Sequence, residues 1–169
     1  MDKPVSMGVW LYLNEGQKVT PNLPEVLFWT MVVKDVLTLS VEKSPVKSEG
    51  EILYVRPGSA FNTTLAPLEA AFQIPFQTKI ASRLKLKNYI LQVLRFLQSA
   101  KEVEQKYILK ELKEKGLLKH GLLDRLFRRK RIHLLPDEYA SCFEAEREKA
   151  LKFKALYLNH IIDIQFDIL

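Results

Sequence analysis

Cysteine is almost missing from this chain. Cys142 stands alone among 169 residues, so no internal disulfide can form. That leans toward a reducing compartment. Glycine is sparse too. The six glycines are scattered and never form G-x-G-x-x-G or the G-x-x-x-x-G-K-S/T phosphate loop, which argues against nucleotide binding of those kinds. The three histidines, His120, His133 and His160, lie far apart, and a single cysteine cannot anchor a usual zinc site. No serine sits in a nucleophile elbow. Long apolar runs are absent as well. The richest, Val26 to Val33, is broken by Lys34 and Asp35, so no segment is long enough to span a bilayer. Asp2, Lys3, Asn14, Glu15 and Lys18 make residues 1–20 too polar for a secretory signal. These absences lead to three expectations: no enzymatic activity, no cofactor or metal, and a cytoplasmic location with any membrane contact peripheral.

A further absence is local. Residues 70–100 contain Lys79, Arg83, Lys85, Lys87 and Arg95 and no acid, a charge of +5. Residues 101–131 add +6, while residues 1–69 carry −2 and residues 132–169 carry −3. A basic middle between acidic flanks is a statement about partners, with a solubilising surface as the plainer alternative. Apolar residues make up 47% of the chain, enough for a globular core, and the length fits one domain over 1–169.

Periodicity supplies the elements. Val9 to Leu13 form an apolar run, a short strand or helix packed by Trp10 and turned by Asn14-Glu15-Gly16. Pro24 opens a helix over 24–37 that is apolar nearly all round, hence central and buried. Residues 37–43 and 51–56 alternate and form a hairpin with a loose polar tip. Thr64 is placed to cap a short helix through Leu68, Ala71 and Phe72 that Pro75 ends. Residues 75–85 read as a basic connection. Leu86, Tyr89, Ile90, Val93, Leu94 and Leu97 have helical spacing. A helix over 102–115 faces Val103, Tyr107, Ile108 and Leu112 inward and stops at Gly116. The segments 117–127 and 131–135 form a second hairpin, and Asp137 caps a helix to about 158. Residues 161–169 fit a strand, by alternation, or a continuing helix. The acids Glu111, Glu144 and Glu148, with Lys115 and Lys152, read as helix-surface pairs. Cys142, beside Phe143, reads as core. The expected fold is mainly α: a single helical domain with two small β-hairpins, each following a helix as in winged-helix units.

The second hairpin carries the functional expectation. Arg125, Arg128, Arg129, Lys130 and Arg131 stand with Leu126 and Phe127, beside Leu122, Leu123 and Ile132. Cations meet anionic headgroups while apolar side chains sink between them, and each cation near such a surface contributes about 1 kcal/mol. A turn near 127–130 would present Phe127 and most of the cations together. Lys79, Arg83, Lys85 and Lys87 form a secondary basic surface. A solvated strand edge, whose charges block unwanted pairing, is the plain alternative. Nucleic acid is less favoured, because Phe127 alone offers a stacking platform and the 24–37 helix holds only Lys34.

The run Leu109-Lys110-Glu111-Leu112-Lys113-Glu114-Lys115-Gly116-Leu117-Leu118, then Leu126 to Leu134 and Pro136-Asp137, resembles the middle of the Golgi phosphoprotein 3-like family of phosphoinositide-binding adaptors and bacterial relatives. Leu11 to Val19, Leu27 to Leu39, Ile52 to Val55 and Thr64-Leu65 are similar to its earlier segments. The resemblance, that of a shortened and divergent member, implies a mostly helical domain with small hairpins. It also implies binding of phosphatidylinositol 4-phosphate at a membrane surface and self-association through the hairpin region, in which Leu126 and Phe127 take part. In the matching register Phe28, Glu102 and Gln105 stand where the eukaryotic adaptors carry arginines, and Val19 near their headgroup-stacking tryptophan, so the headgroup grip is not carried over. The leading expectation is a non-enzymatic peripheral membrane adaptor that binds phosphoinositide or other anionic lipid. A winged-helix nucleic-acid-binding regulator and a structural oligomerisation module are the alternatives.

Overall fold

The computed structural model describes residues 5–46, 50–77, 81–119, 131–132 and 137–166. The first element is a helix, α1 (Met7–Asn14), with Ser6 at its N-cap and every residue from Met7 to Tyr12 buried. It ends at Gly16, whose φ of 74° lets the Gln17 N–H reach back to the Tyr12 carbonyl.

Helix α2 (Leu23–Val33) opens with Pro24 in its first turn and is buried nearly all round, as its composition requires. It stops earlier than the sequence suggests. Asp35 takes a φ of 56° and the Val36 N–H bonds the Met31 carbonyl, a helix stop built on aspartate rather than glycine. Leu37 therefore begins a strand instead of ending a helix.

Strands β1 (Leu37–Lys43) and β2 (Glu51–Pro57) form the expected antiparallel hairpin, with Leu39 opposite Val55. A third strand, β3 (Leu84–Lys85), pairs antiparallel with β2 through Tyr54–Lys85 and Val55–Leu84. The hairpin is thus part of a three-stranded sheet, and the basic connection supplies its edge.

Between β2 and β3 lie two one-turn helices, α3 (Pro67–Ala70) and α4 (Ile74–Gln77). Thr64 does not cap α3. Ala66 precedes it, and Pro67 at the first position presets the helical φ. Pro75 likewise does not end a helix but sits in the first turn of α4.

Helix α5 (Leu86–Leu97) follows β3 without a loop and buries Leu86, Tyr89, Ile90, Val93 and Leu97. Then α6 (Ala100–Val103), a π-helical turn (Glu104–Ile108) and α7 (Leu109–Glu114) run on continuously, with Val103, Ile108 and Leu112 fully buried as read. Gly116, at φ 67°, closes the run, and the Leu117 N–H bonds the Leu112 carbonyl.

Strands β4 (Leu118–Lys119) and β5 (Arg131–Ile132) pair antiparallel. The rest of the second hairpin lies outside the described residues. Helix α8 (Asp137–Ala155) packs along α2, and a one-turn helix α9 (Leu158–Ile161) follows. Residues 162–166 form no strand. The fold is mixed α/β and mainly helical, with a small antiparallel sheet.

Aromatic rings knit the core. Phe28 contacts Trp29, Tyr89 and Phe166 at centroid distances of 5.0, 5.9 and 5.6 Å, and Trp10 stacks on Phe143 at 5.4 Å. Two surface-or-core readings reverse. Cys142 is exposed, because α8 turns Phe143 inward and its neighbour outward. Glu111 is buried at 7% exposure, because the start of α1 covers it.

Candidate functional site

Of the cations and apolar residues expected to form the contact surface, Arg125, Leu126, Phe127, Arg128, Arg129, Lys130 and Lys79 lie outside the described residues. Arg131 lies in β5, opposite Lys119. The secondary basic segment is described from residue 81, and the structure divides its cations into two groups.

Arg83 is engaged. Its guanidinium bonds the Glu42 carboxylate and lies 4.6 Å from the centroid of the Tyr54 ring. Glu42 also accepts from Arg56 at 2.5 Å and from Ser40 at 3.2 Å. Desolvation pushes the Glu42 pKa up, but the bonds from Arg56, Arg83 and Ser40 outweigh it and hold the carboxyl below the usual glutamate range.

Lys87 and Arg95 are exposed and have no carboxylate partner among the described residues. They are eight residues apart on α5, with Leu91 midway, so the three fall on one stripe. Leu91 is 43% exposed and Phe96, on the adjoining flank, 44%. The outer face of α5 therefore offers two cations and two apolar side chains. The inward residues, at the complementary spacing, hold this face outward. Beside the start of α5, Lys85 and Lys87 rim a cavity of about 430 Å³ that Glu51, His160 and Asp163 also line. His160 Nε2 lies 3.2 Å from Glu51 there.

No protein-family model, curated protein or solved structure matches this chain. Its chemistry is therefore read from its own side chains. Phe28, where the family resemblance would set an arginine, is fully buried among aromatic rings. No group of three His, Cys, Asp or Glu side chains among the described residues has metal-holding geometry. No helix among them is long and apolar enough to cross a membrane.

A second polar constellation surrounds α1, and sequence reasoning missed it. The Ser6 N–H donates to Glu111 Oε1 at 2.5 Å and the Ser6 hydroxyl to Oε2 at 2.8 Å. The Met7 N–H donates to Glu69 Oε1 at 3.3 Å. Two unpaired donors of the helix start thus meet carboxylates, which also suit its positive dipole end. At the other end the buried Tyr12 hydroxyl donates to Glu104 Oε1 at 2.6 Å. Burial, then the bond and charge of Glu104, push the Tyr12 phenol well above its ordinary pKa. Lys34 Nζ stands 3.9 Å from Glu69 and 3.8 Å from Glu146. The one signal in the sequence was Glu69 itself, a lone acid in the apolar run Leu68 to Phe72.

Proposed function

We propose that this protein is a non-enzymatic adaptor that docks peripherally on an anionic membrane surface, on the cytoplasmic side. One observation carries the reading: the outer stripe of α5 exposes Lys87, Leu91 and Arg95, with Phe96 on its flank, in a stretch without acids. Amphipathic surfaces of this composition bind at the headgroup boundary, where cations pair with phosphates and apolar side chains enter the interface. The Arg125 to Arg131 segment, with Leu126 and Phe127, supplies the second part of the contact in this reading. The resemblance to the Golgi phosphoprotein 3-like family makes phosphatidylinositol 4-phosphate the first headgroup to try, although the residues that grip it in that family are not carried over.

Duplex DNA is the competing anion, and helix α2 followed by the β1–β2 hairpin echoes a winged-helix unit. A recognition helix must expose a polar face to a groove, whereas α2 is buried and offers none. The membrane reading is therefore favoured.

Flotation with phosphatidylcholine vesicles, alone or doped with phosphatidylserine or phosphatidylinositol 4-phosphate, tests it. Doped vesicles should carry the protein and neutral ones should not. Lys87→Gln with Arg95→Gln should weaken binding by more than about tenfold, from about 1 kcal/mol per cation. Equal recovery with neutral and anionic vesicles rejects the reading. Salt-sensitive binding to duplex DNA without vesicle binding replaces it with the nucleic-acid alternative.

A further inference from the structure

We propose that the cavity at the start of α5 is a headgroup pocket for phosphatidylserine, with the phosphate on Lys87 and the first turn of α5 and the serine ammonium on Asp163 and His160. The inference rests on the anionic-membrane reading above and names the lipid that the same surface selects.

Three parts of the fold build the pocket. Strand β2 brings Glu51 and Leu53, the start of α5 brings Leu86 and Lys87, and the C-terminal segment brings His160 and Asp163. Its volume of about 430 Å³ lies in the range of small-molecule sites. Leu53 and Leu86 are buried and give it an apolar wall.

The polar groups of the pocket have both signs and are not spent on one another. Lys87 and Asp163 are exposed, and neither has an ion-pair partner among the described residues, each other included. Lys85, on the same rim, already has a partner, so Lys87 is the cation that the cavity offers. Glu51 is taken up by His160, whose Nε2 lies 3.2 Å from its carboxylate. A carboxylate only accepts, so Nε2 of the neutral ring carries the proton and Nδ1 is left as an acceptor. That Nδ1 is buried and has no hydrogen-bond partner among the described residues. Buried acceptors are as a rule satisfied, so this one calls for a donor.

A cation and an anion that line one space without pairing fit a ligand that carries both charges. Helix α5 adds a fixed dipole. Lys85 stands at its N-cap and gives no side-chain bond to the first-turn amides, which with the positive dipole end suit a phosphate. An ammonium then has Asp163 for its charge and His160 Nδ1 as a hydrogen-bond acceptor. Quaternary choline has no N–H to give either, and inositol headgroups have no ammonium. Ethanolamine has one, but its lipid is neutral overall and is not drawn to the stripe of Lys87 and Arg95. Phosphatidylserine combines the ammonium with a net negative charge. Lys87 belongs to both the pocket and the outer stripe of α5, so a lipid held there lies at the edge of the docking face.

Vesicle recovery of the full chain tests the pocket. Phosphatidylcholine vesicles are doped equally with phosphatidylserine or with phosphatidylglycerol, which has the same net charge and no ammonium. Phosphatidylserine vesicles should bind about fivefold more tightly, the worth of one charged hydrogen bond. Asp163→Asn removes a negative charge, so it should raise binding to phosphatidylglycerol and erase the preference for phosphatidylserine. Equal wild-type binding to the two lipids, or a preference that survives Asp163→Asn, overturns the pocket and leaves the membrane reading standing. Binding to neither rejects the membrane reading, and soluble glycerophosphoserine then decides the pocket. Shifts of the Lys87 and Asp163 amide and His160 ring signals in nuclear magnetic resonance, absent with glycerophosphoglycerol, support it for the free headgroup. No difference between the two compounds overturns it.

Discussion

At the scale of single residues, the corner joining α2 to the sheet concentrates the most constraint. Asp35, in the left-handed region at φ 56°, stops α2. Its carbonyl accepts from the Ala60 N–H at 2.9 Å, and its carboxylate accepts from the Ser59 N–H at 3.2 Å and from the Ser59 hydroxyl. The Gly58 N–H bonds the Val36 carbonyl at 2.9 Å, which brings Gly58 against the Asp35 backbone. A Cβ at Gly58 would overlap the Asp35 carbonyl. Gly58→Ala should therefore destabilise the protein by about 1–3 kcal/mol, the usual cost of overpacking, read as a lower midpoint in urea unfolding with an unchanged slope. The sequence announced Asp35 as a break in an apolar run but not its partners, because a turn that closes over 23 residues leaves no local pattern. Glu111 was illegible for the same reason. Its spacing to Lys115 is that of a surface pair, and only Ser6, 105 positions away, makes it buried.

At the scale of elements, α5 was legible almost whole, since one buried face at a 3.6-residue period needs no tertiary information. Gly116 was legible because a glycine after an amphipathic run relieves the left-handed stop. Two elements were not. Strand β3 is two residues long, too short for alternation to register, and it exists because β2 offers it an edge. The π-helical turn at Glu104–Ile108 is a departure from the 3.6 period that no apolar spacing marked. That turn carries Glu104, the acceptor for Tyr12, and so fastens α1 to the helical run. Tyr12→Phe keeps the buried ring and removes this bond to a charged acceptor. The variant should lose about 1.5–3 kcal/mol in thermal or urea unfolding, with exchange protection in α1 falling first at its C-terminal end.

At the scale of the whole molecule, folding brings part of the acidic first segment onto the basic middle and ties the two flanks to each other. Glu42, from the acidic first part, neutralises Arg83. Glu25 holds Lys154 at 2.7 Å, and Glu51 meets His160 at 3.2 Å. What remains uncompensated among the described cations of 81–100 includes Lys87 and Arg95 on α5. This selective neutralisation, invisible in a count of charges along the chain, narrows the proposed docking surface from a basic region to one helix face. The surface expected at 125–131 lies outside the described residues, so α5 alone carries the structural part of the argument. The neutralisation also makes Glu42 a lever on the proposed activity. Both of its arginine partners are about 45% exposed and sit on the sheet next to the strand that leads into α5. Glu42→Gln leaves those arginines in place and frees their charge. If anionic membrane binding is the activity, the variant should bind phosphatidylserine vesicles about fivefold more tightly at low salt, the equivalent of one added cation at about 1 kcal/mol. The gain should vanish near 1 M salt, where screening acts over about 3 Å. A gain at low salt that high salt removes would place Arg83 on the lipid-facing side with Lys87. No change at either salt would confine the contact to α5 and exclude the sheet edge from it.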